Sequence, residues 1–311
     1  MHRLSTAMKS EYKPLHGFPM RRHIKASIFC RNRKKALTAW VFLLPSLVGI
    51  GIFLFLPFGE TIRRSFTNPL GTQFLGLKNY QSIFANSAFQ LAVANTAKFI
   101  LVCIPLLLAI SLLFALMIRK ILPKGKKLQT ACLLPMAIPV ASISLLWKAL
   151  FTQNGILNHL LSFFGLPEVS FLTSDAAFWV LVGTYLWRNI GYDMILWLAG
   201  LDAIPASMYE AAEVDGANSW QIFWRITLPN LPSTLGLITI LSILNTFKVY
   251  REAYLVAGNY PDDSIYLSQH LFNNWFSSLD LGRLSAAAVV VALVLLLVIL
   301  PFLKMLREGS E

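Results

Sequence analysis

Leu201-Asp-Ala-Ile-Pro-Ala-Ser-Met-Tyr-Glu-Ala-Ala-Glu-Val-Asp-Gly-Ala-Asn-Ser-Trp-Gln-Ile-Phe-Trp-Arg-Ile-Thr-Leu-Pro-Asn-Leu-Pro232 separates two long apolar runs and carries four acids, Asp202, Glu210, Glu213 and Asp215, against the single Arg225. Pro205 suits a first helical turn, where its missing N–H is one that a helix start leaves unpaired anyway. Ala206 to Asp215 are mostly good helix formers, and Gly216 fits the C′ position, which needs φ > 0. Asn218 can cap a second short helix holding Trp220, Phe223 and Trp224, which Pro229 ends. The spacing predicts a rigid helix–glycine–helix elbow, with its aromatics expected to brace it against the rest of the protein.

Outward from the elbow, the chain is dominated by long apolar runs. A bilayer core takes about 20 apolar residues per helix, and six stretches qualify as candidate spans: 39–58, 91–118, 128–150, 178–201, 231–248 and 285–305. The fold class expected is therefore all-α, a polytopic membrane protein with six transmembrane helices. Its domains are a basic tail over 1–38, a membrane domain over 39–306 containing the elbow at about 202–230, and a short tail over 307–311. The sixth span is almost unbroken Val and Leu from Val289 to Ile299, as for a lipid-facing helix. The others hold Pro, Gly, Asn, Thr or charge, as helices packed in a bundle do. The first run is too long for a signal h-region and lacks a small-residue cleavage site, so it reads as a retained span.

Bulk composition agrees. The 311 residues are 56% hydrophobic and 14% charged, with mean hydropathy +0.60, where a soluble chain carries roughly a quarter charged residues. The net charge of +12 invites a nucleic-acid reading, but the cations are sorted by side. The N-terminal tail, the loop 119–127, Arg225 and the C-terminal end together hold 18 Lys and Arg, and the opposite loops hold 5, namely Arg63, Arg64, Lys78, Arg251 and Arg283. The positive-inside rule then places both termini, and the elbow with them, in the cytoplasm. No nucleic-acid partner is expected; the lipid bilayer is.

At the elbow the chain resembles a known family. Glu210-Ala211-Ala212, Gly216 after three further residues, and Ile226-Thr227-Leu228-Pro229 look like the EAA loop of binding-protein-dependent ABC importer permeases, and Leu201, Ile204, Pro205 and Tyr209 fit the same pattern. Phe42-Leu-Leu-Pro-Ser46, Gly76-Leu-Lys-Asn-Tyr80, Asn95-Thr96, Leu134-Pro135 with Ile138-Pro139, and Gly155 with Asn158 resemble the carbohydrate-uptake branch, of the maltose, glycerol-phosphate and lactose type. One stretch departs from that branch: Val256-Ala-Gly-Asn-Tyr-Pro261 stands where a Thr-x-Gly-Gly-Pro-like sequence is expected.

The resemblance implies a MetI-like permease bundle in a bacterial cell membrane, carrying a sugar or oligosaccharide by alternating access. It implies a second permease subunit, two ABC ATPase subunits and an extracytoplasmic solute-binding protein as partners. In such permeases the elbow docks into a cleft of the ATPase. The residues this assigns to coupling are Tyr209, Glu210, Ala211, Ala212, Asp215 and Gly216, with small residues permitting close approach. An importer of a polyamine or a phosphate ester is the alternative cargo reading. An ATP-independent channel or scaffold is the alternative class, and it has no reason to carry the elbow.

The fourth span adds candidate pathway residues. Arg188 lies ~15 Å inside its outer end at 1.5 Å per residue, close to Tyr185, Asn189, Tyr192, Asp193 and Trp197. Intramembrane charge is costly and usually faces a bundle interior or a cavity. Aromatic faces with amide and guanidinium donors suit a sugar, so Arg188, Asn189, Tyr192 and Asn245 of span five are candidates to line the pathway. Simple polar pairing between helices explains them as well. Arg188 and Asp193 are five apart, roughly 140° around a helix, so each is expected to pair with other helices, and Gly191 to loosen the helix. Lys98, Lys148 and Lys248 lie nearer span ends and can snorkel outward. The segment Asn259-Tyr260-Pro261-Asp262-Asp263 reads as a turn that either touches a binding protein or merely connects.

Catalytic chemistry finds no foothold. A phosphate-binding loop needs Gly-x-x-x-x-Gly-Lys-Ser/Thr, and Gly125-Lys126-Lys127 lacks both the upstream Gly and the hydroxyl. The five histidines, His2, His16, His23, His159 and His270, have no metal spacing, and Cys30, Cys103 and Cys132 are widely separated. No enzyme activity, cofactor or metal is expected in this chain.

Overall fold

The computed structural model describes residues 40–121, 126–247, 249, 251, 253–254 and 263–308. Outside them lie the expected basic tail with Cys30, the candidate phosphate-loop Gly125, Lys248, the departing loop Val256–Pro261 and the turn residues Asn259 to Asp262. The chain divides into two compact units, Met1–Glu60 and Thr61–Glu311.

Among the described residues every regular element is helical, apart from an isolated Thr67–Phe74 bridge. The first helix, α1 (Trp40–Ser65), has a π-helical stretch over Gly51–Phe55 and exposes Trp40, Phe42, Phe53 and Phe58. There follow α2 (Lys78–Phe84), α3 (Ser87–Ile121), α4 (Lys126–Ala137), α5 (Val140–Phe151) and α6 (Ile156–Phe163). The central α7 (Ala176–Asp202) leads into α8 (Ala206–Val214), α9 (Ser219–Ile222) and α10 (Pro232–Thr246). The chain closes with α11 (Ser268–Ser277) and α12 (Leu281–Glu308).

Three helices are by themselves long and apolar enough to cross a membrane: Trp40–Ser65, Ser87–Lys120 and Leu281–Leu306. Two bent pairs, Gln129–Ala137 with Val140–Phe163 and Ser219–Asn230 with Pro232–Thr246, raise the number to five. The expected fourth span, α7, has 27 residues, ~40 Å at 1.5 Å each, but is too polar to register as a lipid-facing helix. The reason is its position. α7 packs against α3, α4 and α10, so its polar groups meet protein instead of hydrocarbon.

Two apolar clusters hold that arrangement. Phe99, Cys103 and Leu107 of α3 pack on Phe178, Leu181, Val182 and Tyr185 of α7. Further along, Ala115 and Ile118 of α3 meet Met194, Trp197, Leu198 and Leu201 of α7 and Ile238 of α10. Polar bonds cross the same seams: Trp197 Nε1 donates to Ser111 Oγ at 3.0 Å, and Ser242 Oγ donates to Asp193 Oδ2 at 2.9 Å. Asp193 thus pairs with a neighbouring helix.

Gly191 corrects one expectation. It does not loosen α7; a Cβ there would sit 1.8 Å from the Cys132 carbonyl oxygen of α4. The glycine exists because two backbones cross at contact distance.

Outside the bundle, the short family-like sequences fold as local clamps. Asn79 Nδ2 donates to the Ser65 and Thr67 carbonyls at 2.9 and 2.7 Å, and the Tyr80 hydroxyl donates to Ser65 Oγ at 2.8 Å, closing the turn after α1. Asn95 donates to the Tyr266 carbonyl at 3.1 Å, and Thr96 Oγ1 accepts from the Ser268 N–H at 3.0 Å, tying α3 to α11. Asn158, 2% exposed, donates to the Gln153 and Val169 carbonyls and accepts from the Val169 N–H. Lys98 is exposed and holds its ammonium 4.5 Å from the centre of the Phe178 ring.

Candidate functional site

The elbow is built by two caps. At the end of α8 the Ala217 N–H donates to the Ala212 carbonyl at 2.9 Å and the Gly216 N–H to the Glu213 carbonyl at 3.0 Å. This is a Schellman closure, and Gly216 at its C′ position has φ 76°, which a Cβ would strain. Two residues on, Asn218 Oδ1 accepts from the Gln221 N–H and Gln221 Oε1 accepts from the Asn218 N–H, both at 2.9 Å. That reciprocal box starts α9 without help from any other part of the protein. A π-turn over Phe223–Thr227 and a 3₁₀ turn over Leu228–Asn230 then deliver the chain to α10.

The aromatics do not brace this elbow against the bundle. Trp220 is 70% exposed and Trp224 50% exposed; Trp224 meets Trp220 and Phe223 edge-to-face, and the Trp220 and Phe223 rings are tilted to one another. The anchor is Tyr209. Its ring packs beside the second apolar cluster, its hydroxyl lies 3.3 Å from Thr227 Oγ1, and Arg119 Nη1 donates to it at 3.2 Å. The Arg119 guanidinium also sits 4.9 Å from the Tyr209 ring centre and 4.0 Å from Asp202 Oδ1. Arg119, at the end of α3, therefore ties the first part of the elbow to α3, and Tyr209 ties that part to Thr227 near the elbow's other end.

With Tyr209 turned inward, Glu210, Ala211, Asp215 and Gly216 are exposed, and Ala212 is half-buried. Ala212, Asp215, Gly216, Ala217, Gln221 and Arg225 line a surface groove of about 350 Å³. The groove mixes small residues with Asp215, Gln221, Arg225 and the apolar Ile222 and Ile226.

A second cavity, of about 170 Å³, opens beside α7 and takes in Tyr185, Arg188, Asn189, Asn245, Val249 and Arg251, with Met136 and Val140 from either side of the break between α4 and α5. Irregular backbone at membrane depth is tolerated where it lines a cavity, and Pro139 places the break there. Of the expected pathway residues, Arg188, Asn189 and Asn245 come together. Tyr192 does not join them; it lies one turn, ~6 Å, further along α7 than Arg188. Tyr185 has its hydroxyl committed to the Ser242 carbonyl at 3.0 Å.

Two participants escaped the sequence reading. Arg251 reads as an outer-loop charge when span five extends to 248, whereas α10 stops at Thr246 and Arg251 lines the cavity. Arg119 was counted only as an orientation signal. The available clue is that the Lys and Arg sorting puts the loop 119–127 and the acidic elbow on one side. Among the described residues no group of His, Cys, Asp and Glu has metal-holding geometry.

Residues 99–306 match the family described as the binding-protein-dependent transport system inner membrane component. The chain belongs to this family. It is a membrane permease of the ABC importer class with a MetI-like fold, and the elbow and the helices α4 to α10 all fall inside the matched residues. The chain is 28% identical over 279 residues to the osmoprotective compounds uptake permease protein of Synechocystis, covering 87% of this chain and 99% of that one. It is 29% identical over 280 residues to the trehalose/maltose transport system permease protein of Thermococcus litoralis, covering 88% and 95%. It superposes with TM-score 0.76 and 25% identity on a chain of the bacterial alginate ABC transporter solved with an alginate pentasaccharide-bound periplasmic protein, covering 90% and 98%.

Proposed function

We propose that this permease carries a sugar or oligosaccharide inward across a bacterial cell membrane, driven by ATPase subunits that grip the elbow. The observation that carries the reading is the elbow itself. Its outward face presents Glu210, Ala211, Asp215 and Gly216 beside the groove, while Tyr209 and Arg119 fasten its inner face to α3 and to the π-turn before α10. A force applied to α8 is therefore transmitted to the helices that wall the cavity. ATP-driven closure of an ATPase pair tilts those helices, and the cavity changes the side to which it opens.

The remaining partners follow from that division of labour. A second permease subunit completes the pathway, and an extracytoplasmic solute-binding protein delivers the cargo, as the periplasmic protein accompanies the alginate importer. A carbohydrate cargo is supported by the trehalose/maltose and alginate relatives, and by the amide, guanidinium and tyrosine groups around the cavity. Arg188, Asn189 and Asn245 are the cargo-facing residues in this reading, with Tyr192 next along the path. Both termini lie in the cytoplasm, as the Lys and Arg distribution requires.

The test is purification of the tagged chain in mild detergent, followed by identification of what accompanies it. Wild type retains an ABC ATPase and a second permease. Glu210→Lys and Gly216→Pro lose the ATPase and keep the permease. An elbow variant that holds the ATPase as tightly as wild type excludes the docking role.

A further inference from the structure

Trp220, Phe223 and Trp224 follow one another at the i, i+3, i+4 spacing of a single helical face, and the two indoles stand 70% and 50% exposed. From the same stretch, the groove beside α8 takes Gln221, Ile222, Arg225 and Ile226. At about 100° per residue these lie roughly on the other side of the helix. The aromatic face is therefore separate from the groove, and the bundle leaves its indoles uncovered.

A contiguous exposed aromatic cluster marks a surface for a partner, and the bend into α10 says where this one lies. The stretch Ser219–Asn230 meets Pro232–Thr246 at 67°. At ~1.5 Å per residue, the backbone from Trp224 to Pro232 advances only ~5 Å along the α10 axis, and from Trp220 only ~7 Å. The start of α10 is itself level with the end of a membrane span. A Cβ on Gly236 would lie 3.6 Å from Met305 and 3.7 Å from Leu306, at the end of the apolar helix Leu281–Leu306. Lys304 is there the first charge after Arg283. The aromatics thus stand close to the level at which the chain leaves the hydrocarbon. Trp is enriched at that depth, and interfacial amphipathic helices bury their apolar face there, about 5–10 Å into the headgroup boundary.

Charge is sorted the same way along the elbow. Asp202, Glu210, Glu213 and Asp215 all precede Gly216, whereas the stretch from Ser219 to Pro232 holds no acid and the single Arg225. An anionic leaflet repels the first half of the elbow and accepts the second.

We propose that Trp220, Phe223 and Trp224 sit in the headgroup layer of the leaflet on the elbow's side, making the second half of the elbow an interfacial anchor. The lipid contact does not depend on the ATPase reading, since it uses the face opposite the groove. It turns the groove away from the bilayer.

Nitroxide scanning tests this in the assembled importer reconstituted in lipid. Cys30, Cys103 and Cys132 are replaced by Ser, the partner subunits are likewise made cysteine-free, and Trp220→Cys, Phe223→Cys, Trp224→Cys, Glu213→Cys and Arg225→Cys are labelled one at a time. Each aromatic variant keeps the other two aromatics. The label's collision rates with oxygen, which partitions into lipid, and with a water-soluble nickel chelate are compared. The oxygen-to-nickel ratio at 220, 223 and 224 exceeds that at 213 and 225 several-fold. Exclusion of both reagents at the three aromatic positions means that protein covers them, either the ATPase or the second permease, and overturns the proposal. A nickel preference there means water and overturns it too.

A second arm needs no label. The emission lost between wild type and the Trp220→Phe/Trp224→Phe double variant isolates these two indoles. In vesicles of phospholipid brominated near the headgroup end of its chains, that difference emission falls several-fold relative to unbrominated lipid. A difference emission that brominated lipid leaves unchanged overturns the anchor and leaves the ATPase reading of the groove standing. Loss of the ATPase from the wild-type complex removes that reading and leaves the lipid contact to be judged by the same two signals.

Discussion

Gly191 and Gly216 are both glycines in or beside helices, yet they are needed for different reasons. At Gly216 the requirement is conformational, because φ is 76° in a Schellman closure. At Gly191 it is spatial, because a Cβ would strike the Cys132 carbonyl at 1.8 Å. Neither atom is the mobile tip of a side chain, so Gly191→Ala forces α4 and α7 apart. We expect it to destabilise the permease by about 1–3 kcal/mol, as overpacking does, read as a lower thermal midpoint in detergent. Gly183→Ala, whose Cβ meets nothing within 4 Å, is the matched control and changes the midpoint little. Sequence alone could place Gly216, since helix formers followed by Gly and then a capping Asn form a local signal. It could not place Gly191, since a close crossing involves a residue 59 positions away and leaves no local trace.

At the scale of elements, the elbow is held by Tyr209 rather than by its tryptophans. The aromatic triplet was legible as a cluster, but its direction was not, because α9 is only four residues long and the π-turn after it rotates the faces. Tyr209→Phe removes the hydroxyl contacts with Arg119 and Thr227, each worth about 1 kcal/mol, and keeps the ring under the guanidinium. Arg119→Met removes both the bond and the cation–π contact. In proteoliposomes both variants hydrolyse more ATP per solute imported, Arg119→Met more than Tyr209→Phe. An unchanged ratio in both would show that force does not pass through this contact.

The clamp between α3 and α11 offers a test in pH. His270 on α11 is 1% exposed and accepts from the Leu267 N–H at Nδ1, and burial pushes its imidazole down to about 4 from an ordinary 6.5. Between those values the unfolded chain binds the extra proton and the folded one does not, so stability rises with pH through that window and is lost as pH falls through it. The thermal midpoint should drop on acidification from 6.5 toward 4, and His270→Gln should flatten that slope.

For the molecule as a whole, the apolar runs, the side-sorted Lys and Arg and the elbow motif were enough to name an all-helical membrane permease. The runs failed where a span is defined by its neighbours: α7 is too polar to look like a membrane helix, and α4 is bent by 91° against the segment Val140–Phe163 that follows it, where Pro135 and Pro139 read only as family-like punctuation. The cavity was half legible. Arg188, Asn189 and Asn245 lie in helices whose period can be counted, whereas Arg251 follows a helix end whose position is set by packing. The proposed ATPase-docking groove and the proposed cargo cavity are linked through α7 and the elbow. Their coupling is measured most directly by ATP-driven solute uptake into proteoliposomes containing the complete importer and its binding protein. Wild type accumulates sugar only with ATP; Glu210→Lys, with its cavity untouched, abolishes accumulation while the binding protein still docks. Uptake that persists at wild-type rate in Glu210→Lys, or that proceeds without ATP, contradicts the account.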